Sequence, residues 1–337
     1  MIRLRAPRFG GQVRRSLGVG GWLAPAIALL VLAGVVVPPY TLTLFIEVMA
    51  FALFALGINL LLGYTGFISV GHSMFLGFGG YGLAVLGILH GWPTSLAMAA
   101  TLVICAVLGF AIGAICMRVG RIPFLVITLA MSQLFYGIAT KNESTNGTDG
   151  VPGIPRLDLS FLGIESYTPA AFYYYALVFF LVVAGLLWLV VRSPFGSALV
   201  GIRENEKRMI SLGYNVTLYK NLAFMISGVV AGAAGILFAQ VQQFVNPDIM
   251  RWEMSGEGVL MVIIGGRQYF LGPILGAAFF VLLKAQLAAI TEEYIIFFGL
   301  FFMLVVALFR TGLAGFALAL WRRWRPSAGG PAPAAGE

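Results

Sequence analysis

Residues 192–220 read RSPFGSALVGIRENEKRMISLGYNVTLYK and form the longest strongly polar interval between two long apolar runs. Arg192, Arg203, Lys207, Arg208 and Lys220 stand there against only Glu204 and Glu206. In a chain this oily, such an interval belongs in water, and its basic excess places it on the cytoplasmic side. Ser193 followed by Pro194 is a helix start, a capping residue and then proline at the first helical position. Gly213 is a stop, because glycine accepts the left-handed conformation that ends helices. Glu204 and Arg208 are four apart, in the favourable order for a helical ion pair. The stretch predicts a short helix lying across a loop, with Asn215 or Thr217 capping the next apolar helix. The plainer alternative is a solvated loop that merely joins two helices.

Working outward, hydrophobic residues make up 60% of the 337 and charged residues only 10%. Soluble domains carry about a quarter charged residues, so this composition is that of an integral membrane protein. The net charge of +8 suggests nucleic acid, but the basic residues cluster at the ends of apolar runs, which is topology control and not a phosphate-binding face. Cys105 and Cys116 are too far apart along one helix to form a disulfide.

A hydrocarbon core of about 30 Å needs about 20 apolar residues per helix. Candidate spans are 22–37, 42–62, 67–89, 94–117, 122–140, 172–191, 221–240, 253–264, 271–290 and 294–309. The expected fold is an all-α polytopic membrane protein of about ten transmembrane helices with Gly-broken segments, N- and C-termini cytoplasmic. That orientation puts seventeen of the 21 Lys and Arg inside and three outside, with Lys284 inside a span. The expected organisation is a basic cytoplasmic segment over 1–21, a transmembrane domain over 22–320 and a disordered cytoplasmic tail over 321–337. Residues 192–220 are the inner loop of that domain. Residues 141–171 are its one long external loop, rich in Asn-Gly, Asp-Gly and Pro turn chemistry.

Two glycine-rich intervals break the helix pattern at the cytoplasmic end. One runs from Gly63 through Ser69, Gly71 and His72 to Gly82. The other holds Gly265, Gly266, Gly272, Pro273 and Gly276. Non-helical backbone at membrane depth is buried in protein or lines a watery cavity. Broken segments point to a transport pathway, whereas close helix packing explains most of the individual glycines. Gly77, Gly79 and Gly82 fit G-x-G-x-x-G, but the flanks are membrane-apolar and no acidic residue follows before Glu143, which excludes a dinucleotide site. The sequence has no P-loop, no H-E-x-x-H, no C-x-x-C and no G-x-S-x-G. Glu47, Asn59, Ser69, His72, Glu257 and Lys284 are the intramembrane polar residues, each costly in lipid. Lys284 snorkels, or pairs with Glu257 or Glu47. His72 is either a pathway residue or a hydrogen-bonded packing histidine.

These residues resemble a known family, the M-type permease subunits of branched-chain amino acid ABC importers. Ile202–Glu206 and Leu212–Thr217 with Tyr219-Lys220 carry the likeness. So do Gly63–Gly66, Ser69–His72, Thr145–Gly147, Ser255–Glu257, Gly265-Gly266 and Gly272–Ala277. Arg267-Gln268-Tyr269 and Lys207-Arg208 depart from the pattern, and Phe309–Gly315 lacks the family's proline. The resemblance implies that the polar loop is a coupling helix docked on a cytoplasmic ATPase, with Arg203, Glu204, Asn205, Glu206 and Gly213 carrying the coupling. It implies a translocation pathway near Ser69, Gly71, His72, Glu257, Gly265, Gly266 and Gly272. It also implies contact with a periplasmic substrate-binding protein through Thr145, Asn146, Gly147 and Asp149. Expected partners are a second homologous permease subunit, two ABC ATPase subunits, the binding protein and membrane lipid, with no nucleic acid. No cofactor or metal is bound by this chain, since ATP and magnesium are used by the partner ATPases. The expected setting is the bacterial inner membrane, and the chain is not itself an enzyme. Relatives that carry urea, short amides or aromatic acids keep the substrate open. An ion-coupled secondary transporter is the rival of another class, with Glu47 and Glu257 as its only acidic candidates.

Overall fold

The computed structural model describes residues 28, 30–157, 168–290, 299 and 312–316. The spans expected from Tyr294 to Phe309 and before residue 28, and the two terminal segments, lie outside these residues. The described part is helical: α1 (Pro39–Asn59), α2 (Ser73–Ala84), α3 (Thr94–Cys116), α4 (Arg121–Lys141), α5 (Pro169–Arg192), α6 (Pro194–Glu204), α7 (Glu206–Ser211), α8 (Val216–Gln242), α9 (Trp252–Gly265) and α10 (Gly272–Ile290). Two short strands, β1 (Val151–Pro152) and β2 (Phe244–Val245), pair antiparallel.

Among the described residues six helices are long and apolar enough to cross a membrane: α1 with its wider-turned extension to Thr65, α3, α4, α5, α8 and α10. They divide into two kinds. In α1 and α8, 78% and 72% of the most apolar window is buried within the chain, whereas in the other four the share is 33% or less. Helices α1 and α8 are therefore the inner pair, and α3, α4 and α5 turn apolar side chains such as Val107, Val126 and Val182 outward. A helix apolar all round is at home in the centre of a membrane bundle.

Small residues let the inner elements touch. A side-chain carbon at Gly79 would come closer than 3.0 Å to the Gly232 carbonyl, and one at Gly235 would strike that of Leu76. Helices α2 and α8 thus cross backbone to backbone, the small-residue packing of membrane helices. At the start of the described chain, residues 30–36 are helical, and the hydroxyls of Tyr173 and Tyr174 donate to the carbonyls of Leu30 and Val31 at 2.8 and 3.0 Å. Cys105 and Cys116 are free and buried.

The span expected from Phe67 is corrected. Helix α1 and its extension end at Gly66, whose φ of +77° only glycine adopts easily. No helix covers 66–72, and α2 begins only at Ser73. Ser73 meets Ser255, in the first turn of α9, and the Met250 carbonyl, so the non-helical run climbs from the end of α1 into the interior. The break is therefore not confined to one end of the bundle. The helical run 73–89 has 17 residues, about 25 Å at 1.5 Å per residue. Helix α9, with 14 residues, reaches about 21 Å, less than a full crossing.

Candidate functional site

The polar stretch folds as two helices, not one. Pro194 opens α6 as expected, but the Ser193 hydroxyl turns back and donates to the Val190 carbonyl at 2.7 Å instead of capping. Asn205 then adopts an extended conformation, φ −156° and ψ 96°, and its Oδ1 accepts from the Arg208 amide at 3.0 Å. Asparagine favours such a cap over a helix interior. The expected Glu204–Arg208 ion pair is corrected accordingly, since the two residues belong to different helices. Glu204 stands 3.9 Å from Arg203, an exposed and weak contact. Gly213 stops α7 as read: its φ is +87°, and its amide donates to Ile210 O at 2.9 Å. Asn215 caps α8, accepting from the Leu218 amide at 3.1 Å. Phe195 stacks on Tyr219, 5.5 Å between centroids, and closes the hairpin.

This hairpin grips the first glycine break. The Arg203 guanidinium donates to the Gly63 carbonyl, and Arg121 of α4 donates to the Arg203 carbonyl at 3.0 Å. Lys220, 4% exposed, pairs with Glu206 at 2.6 Å and lies 4.8 Å from the centre of the Phe67 ring. Phe67 packs edge-on against Phe124. Gly66 has to be glycine here, because a side-chain carbon would stand 2.9 Å from Arg203 Cγ. The second break arrives at the same place. A side-chain carbon at Gly63 would lie 2.6 Å from the Arg267 carbonyl, in the α9–α10 corner. Gly265, Gly266 and Gly272 form that corner by direct backbone contact. One junction thus joins the loop, the end of α1 and the turn between α9 and α10. On the far side of the loop Glu204, Lys207, Arg208, Ile210, Leu212 and Tyr214 are exposed.

The other proposed pathway residues lie elsewhere. His72 is fully buried, with Nδ1 2.7 Å from Ser69 Oγ and Nε2 2.6 Å from Ser227 Oγ. Ser227 Oγ donates onward to the Gly57 carbonyl at 2.5 Å. That donation uses its only hydrogen, so the hydrogen-bond pattern assigns the Nε2–H tautomer, with Ser69 donating to Nδ1. Both ring nitrogens are occupied within the chain. Gly71 abuts the Thr128 carbonyl so closely that no side chain fits. Next to it Ser73, Ser132 and Ser255 share hydrogen bonds of 2.6–3.0 Å with one another and with Met250 O. Every one of these buried hydroxyls is satisfied, as burial requires. Glu257 is not part of this group. It pairs with Lys284 at 3.5 Å nearer the opposite end of the bundle from the loop, which settles the partner of Lys284.

At that opposite end Thr145 is buried and donates to Asn142 O at 3.1 Å. Asn146, at φ +56°, donates through its side chain to Gly150 O at 3.2 Å. Gly147 also has positive φ, and Asp149 is exposed. The β1–β2 pairing fixes this turn to the end of α8. Sequence reasoning missed Lys220, Arg121, Phe67, Ser227 and Thr128. A lysine in the first turn of an apolar helix reads as a solvated charge, and nothing local announces its partner fourteen residues back.

A family model described as branched-chain amino acid transport system / permease component matches residues 40–308. The high-affinity branched-chain amino acid transport system permease protein LivM of Salmonella typhimurium is 28% identical over 301 residues, 82% of this chain and 67% of that protein. LivM of Escherichia coli K12 matches to the same extent. The autoinducer 2 import system permease protein LsrC of Salmonella typhi is 29% identical over 204 residues, 58% of this chain and 56% of that protein. No solved structure matches the chain.

Proposed function

Since the chain belongs to the family of branched-chain amino acid transport system permease components, inner-membrane proteins, we propose that it is the permease subunit of an ABC importer for branched-chain amino acids. In this reading residues 192–220 face the cytoplasm, and α6–α7 dock in a groove of a separate ATPase. Two such ATPases, a second homologous permease and a periplasmic binding protein complete the machine. The chain makes no product of its own. ATP closes the ATPase dimer, the docked helices move, and the permease pair rocks between inward- and outward-open states.

One observation carries the coupling assignment. The loop is clamped on its inner side to Gly63 and Phe67 through Arg203 and Lys220, while its outer side offers Ile210, Leu212 and Tyr214 among charges. A face of apolar anchors rimmed by charge suits a partner protein better than water. Displacement of the loop is then felt directly at the first glycine break and, through Gly63 against the Arg267 carbonyl, at the second. The turn carrying Thr145, Asn146, Gly147 and Asp149 is the contact for the binding protein. The likeness to an autoinducer 2 permease supports a second reading in substrate only, with the same machine carrying a sugar-like solute.

The test is reconstitution of the complex with its neighbouring ATPases, permease and binding protein in proteoliposomes. ATP-dependent uptake of leucine, abolished when Ile210 and Leu212 are both changed to Glu, is expected. Uptake driven by an ion gradient without ATP would refute the assignment.

A further inference from the structure

Two ionisable side chains pair away from the loop, and a third stands on a helix packed against theirs. Glu47 is on α1, Glu257 on α9 and Lys284 on α10. Lys284 Nζ is 3.5 Å from Glu257 Oε1, and α1, which carries Glu47, packs against both α9 and α10. Counted along the helices at 1.5 Å per residue, Glu47 lies about 12 Å from the start of α1, Glu257 about 8 Å from the start of α9 and Lys284 about 9 Å from the end of α10. They share one level, about 10 Å in from the end that carries Asn146. None is sealed: the side chains of Glu257 and Lys284 are 28% and 39% exposed, and Glu47 is half-buried. Gly256 leaves open space beside Glu257 on the same helix.

Charged groups open to lipid at that depth are expensive, so this face meets water or protein. An open groove of about 310 Å³ is lined by Asp248, Arg251, Glu253, Met254 and Glu257, and of Glu47, Glu257 and Lys284 only Glu257 borders it. Arg251 is already shared between Asp248 and Glu253, at 3.8 and 3.6 Å. Glu257 is the deepest residue of the lining, and its Oε2 has no hydrogen-bond partner. One lysine thus faces two glutamates.

We infer that Glu47, Glu257 and Lys284 form an intramembrane subsite for the charged groups of a zwitterionic solute, with the carboxylates taking its ammonium and Lys284 its carboxylate. The inference rests on the amino acid reading above, because a sugar-like or amide solute has no ammonium to offer. The Lys284–Glu257 bridge is the state without solute. A zwitterion exchanges with it, its ammonium replacing Lys284 at Glu257 and its carboxylate engaging the freed lysine, so both members of the bridge keep a partner of opposite charge and the net charge of the site is unchanged. Neither Arg203 nor His72 takes part.

Two measurements on the full complex test this. In the first, Met254→Cys is labelled from outside with a cationic (trimethylammonium) and an anionic (sulfonate) methanethiosulfonate, against the unsubstituted chain, whose two cysteines are buried. Relative to each reagent's rate with a free thiol, the cationic reagent is expected to be favoured about tenfold, and this preference to shrink in Glu257→Gln, where Asp248 and Glu253 remain. Equal relative rates, or no reaction, would overturn the acidic, water-filled site. In the second, leucine uptake is expected to fall at least tenfold in Glu257→Gln and in Lys284→Met at normal levels of complex. It is expected to stay low when the charges are exchanged by Glu257→Lys with Lys284→Glu. Uptake restored by the exchange would reduce the pair to a structural bridge and overturn the inference. A wild-type complex that imports no leucine overturns the amino acid reading and the zwitterion with it, while the labelling ratio decides separately whether the acidic site exists.

Discussion

The guanidinium of Arg203 donates to the carbonyl oxygen of Gly63, joining residues 140 apart in sequence. The bond reaches from the two-helix loop to the wider-turned end of α1, where backbone carbonyls lack the regular ladder of an α-helix. A planar, always charged fork suits this task, and an ammonium does not reproduce it. The contact turns a surface loop into part of the membrane core.

Arg203→Ala removes that link without removing an apolar anchor. ATP-dependent uptake is expected to fall at least tenfold, and Arg203→Lys to recover only part of it. Membrane levels of the chain, followed by immunoblot, are expected to stay normal. Full uptake in Arg203→Ala would show that the Gly63 contact carries no motion.

The Glu206–Lys220 pair is asymmetric, with side chains 43% and 6% exposed. Breaking a fully buried pair costs about 3–5 kcal/mol, but water reaches Glu206, which reduces the loss in Glu206→Gln to about 1 kcal/mol. Lys207→Gln, on the exposed face, is the comparison and is expected to change stability by less than about 0.5 kcal/mol. Thermal unfolding in detergent separates the two. Equal effects would mean that Lys220 finds another partner.

Much of this was legible in the chain. The polar interval, the glycine stop at 213, the cap at Asn215 and the apolar runs are local signals, and the structure carries them. The single helix through Asn205 failed because side-chain capping by that residue outcompetes a helical ion pair, a contest that spacing alone does not reveal. The span from Phe67 failed for a different reason. Its residues are apolar enough for a helix, but Gly66 ends α1 and Gly71 is pressed against Thr128, and neither contact is visible along the sequence. Lys220 was invisible for the same reason.

Gly213→Val forces a branched side chain into a left-handed backbone, at a cost of about 1–3 kcal/mol. Nothing lies within 4 Å of the added carbon, so the effect is conformational and confined to the end of α7. Uptake is expected to be lost while insertion in the membrane persists. Gly213→Asn, which tolerates the conformation, is expected to retain more uptake than Gly213→Val, and the reverse order would overturn the explanation.

Gly71→Ala drives a methyl into the Thr128 carbonyl. Overpacking costs about 1–3 kcal/mol, and a backbone oxygen has little room to move, so the upper end is expected as a lowered Tm. Gly185→Ala, in open space on α5, gains helix propensity worth up to about 1 kcal/mol and is expected to be neutral or stabilising. A Tm for Gly71→Ala equal to that of the unsubstituted chain would contradict the contact.

The row of hydrogen bonds through His72 has a direction. Its hydrogens all point from Ser69 toward the Gly57 carbonyl, and an amide oxygen has no hydrogen to hand on. An imidazole flanked by hydroxyls in the interior of a bundle would otherwise invite hydronium charge to hop across. Here the wire ends blind, so the cell's voltage and pH difference are not drained through it. Liposomes carrying the chain are expected to hold an imposed pH step as long as empty ones.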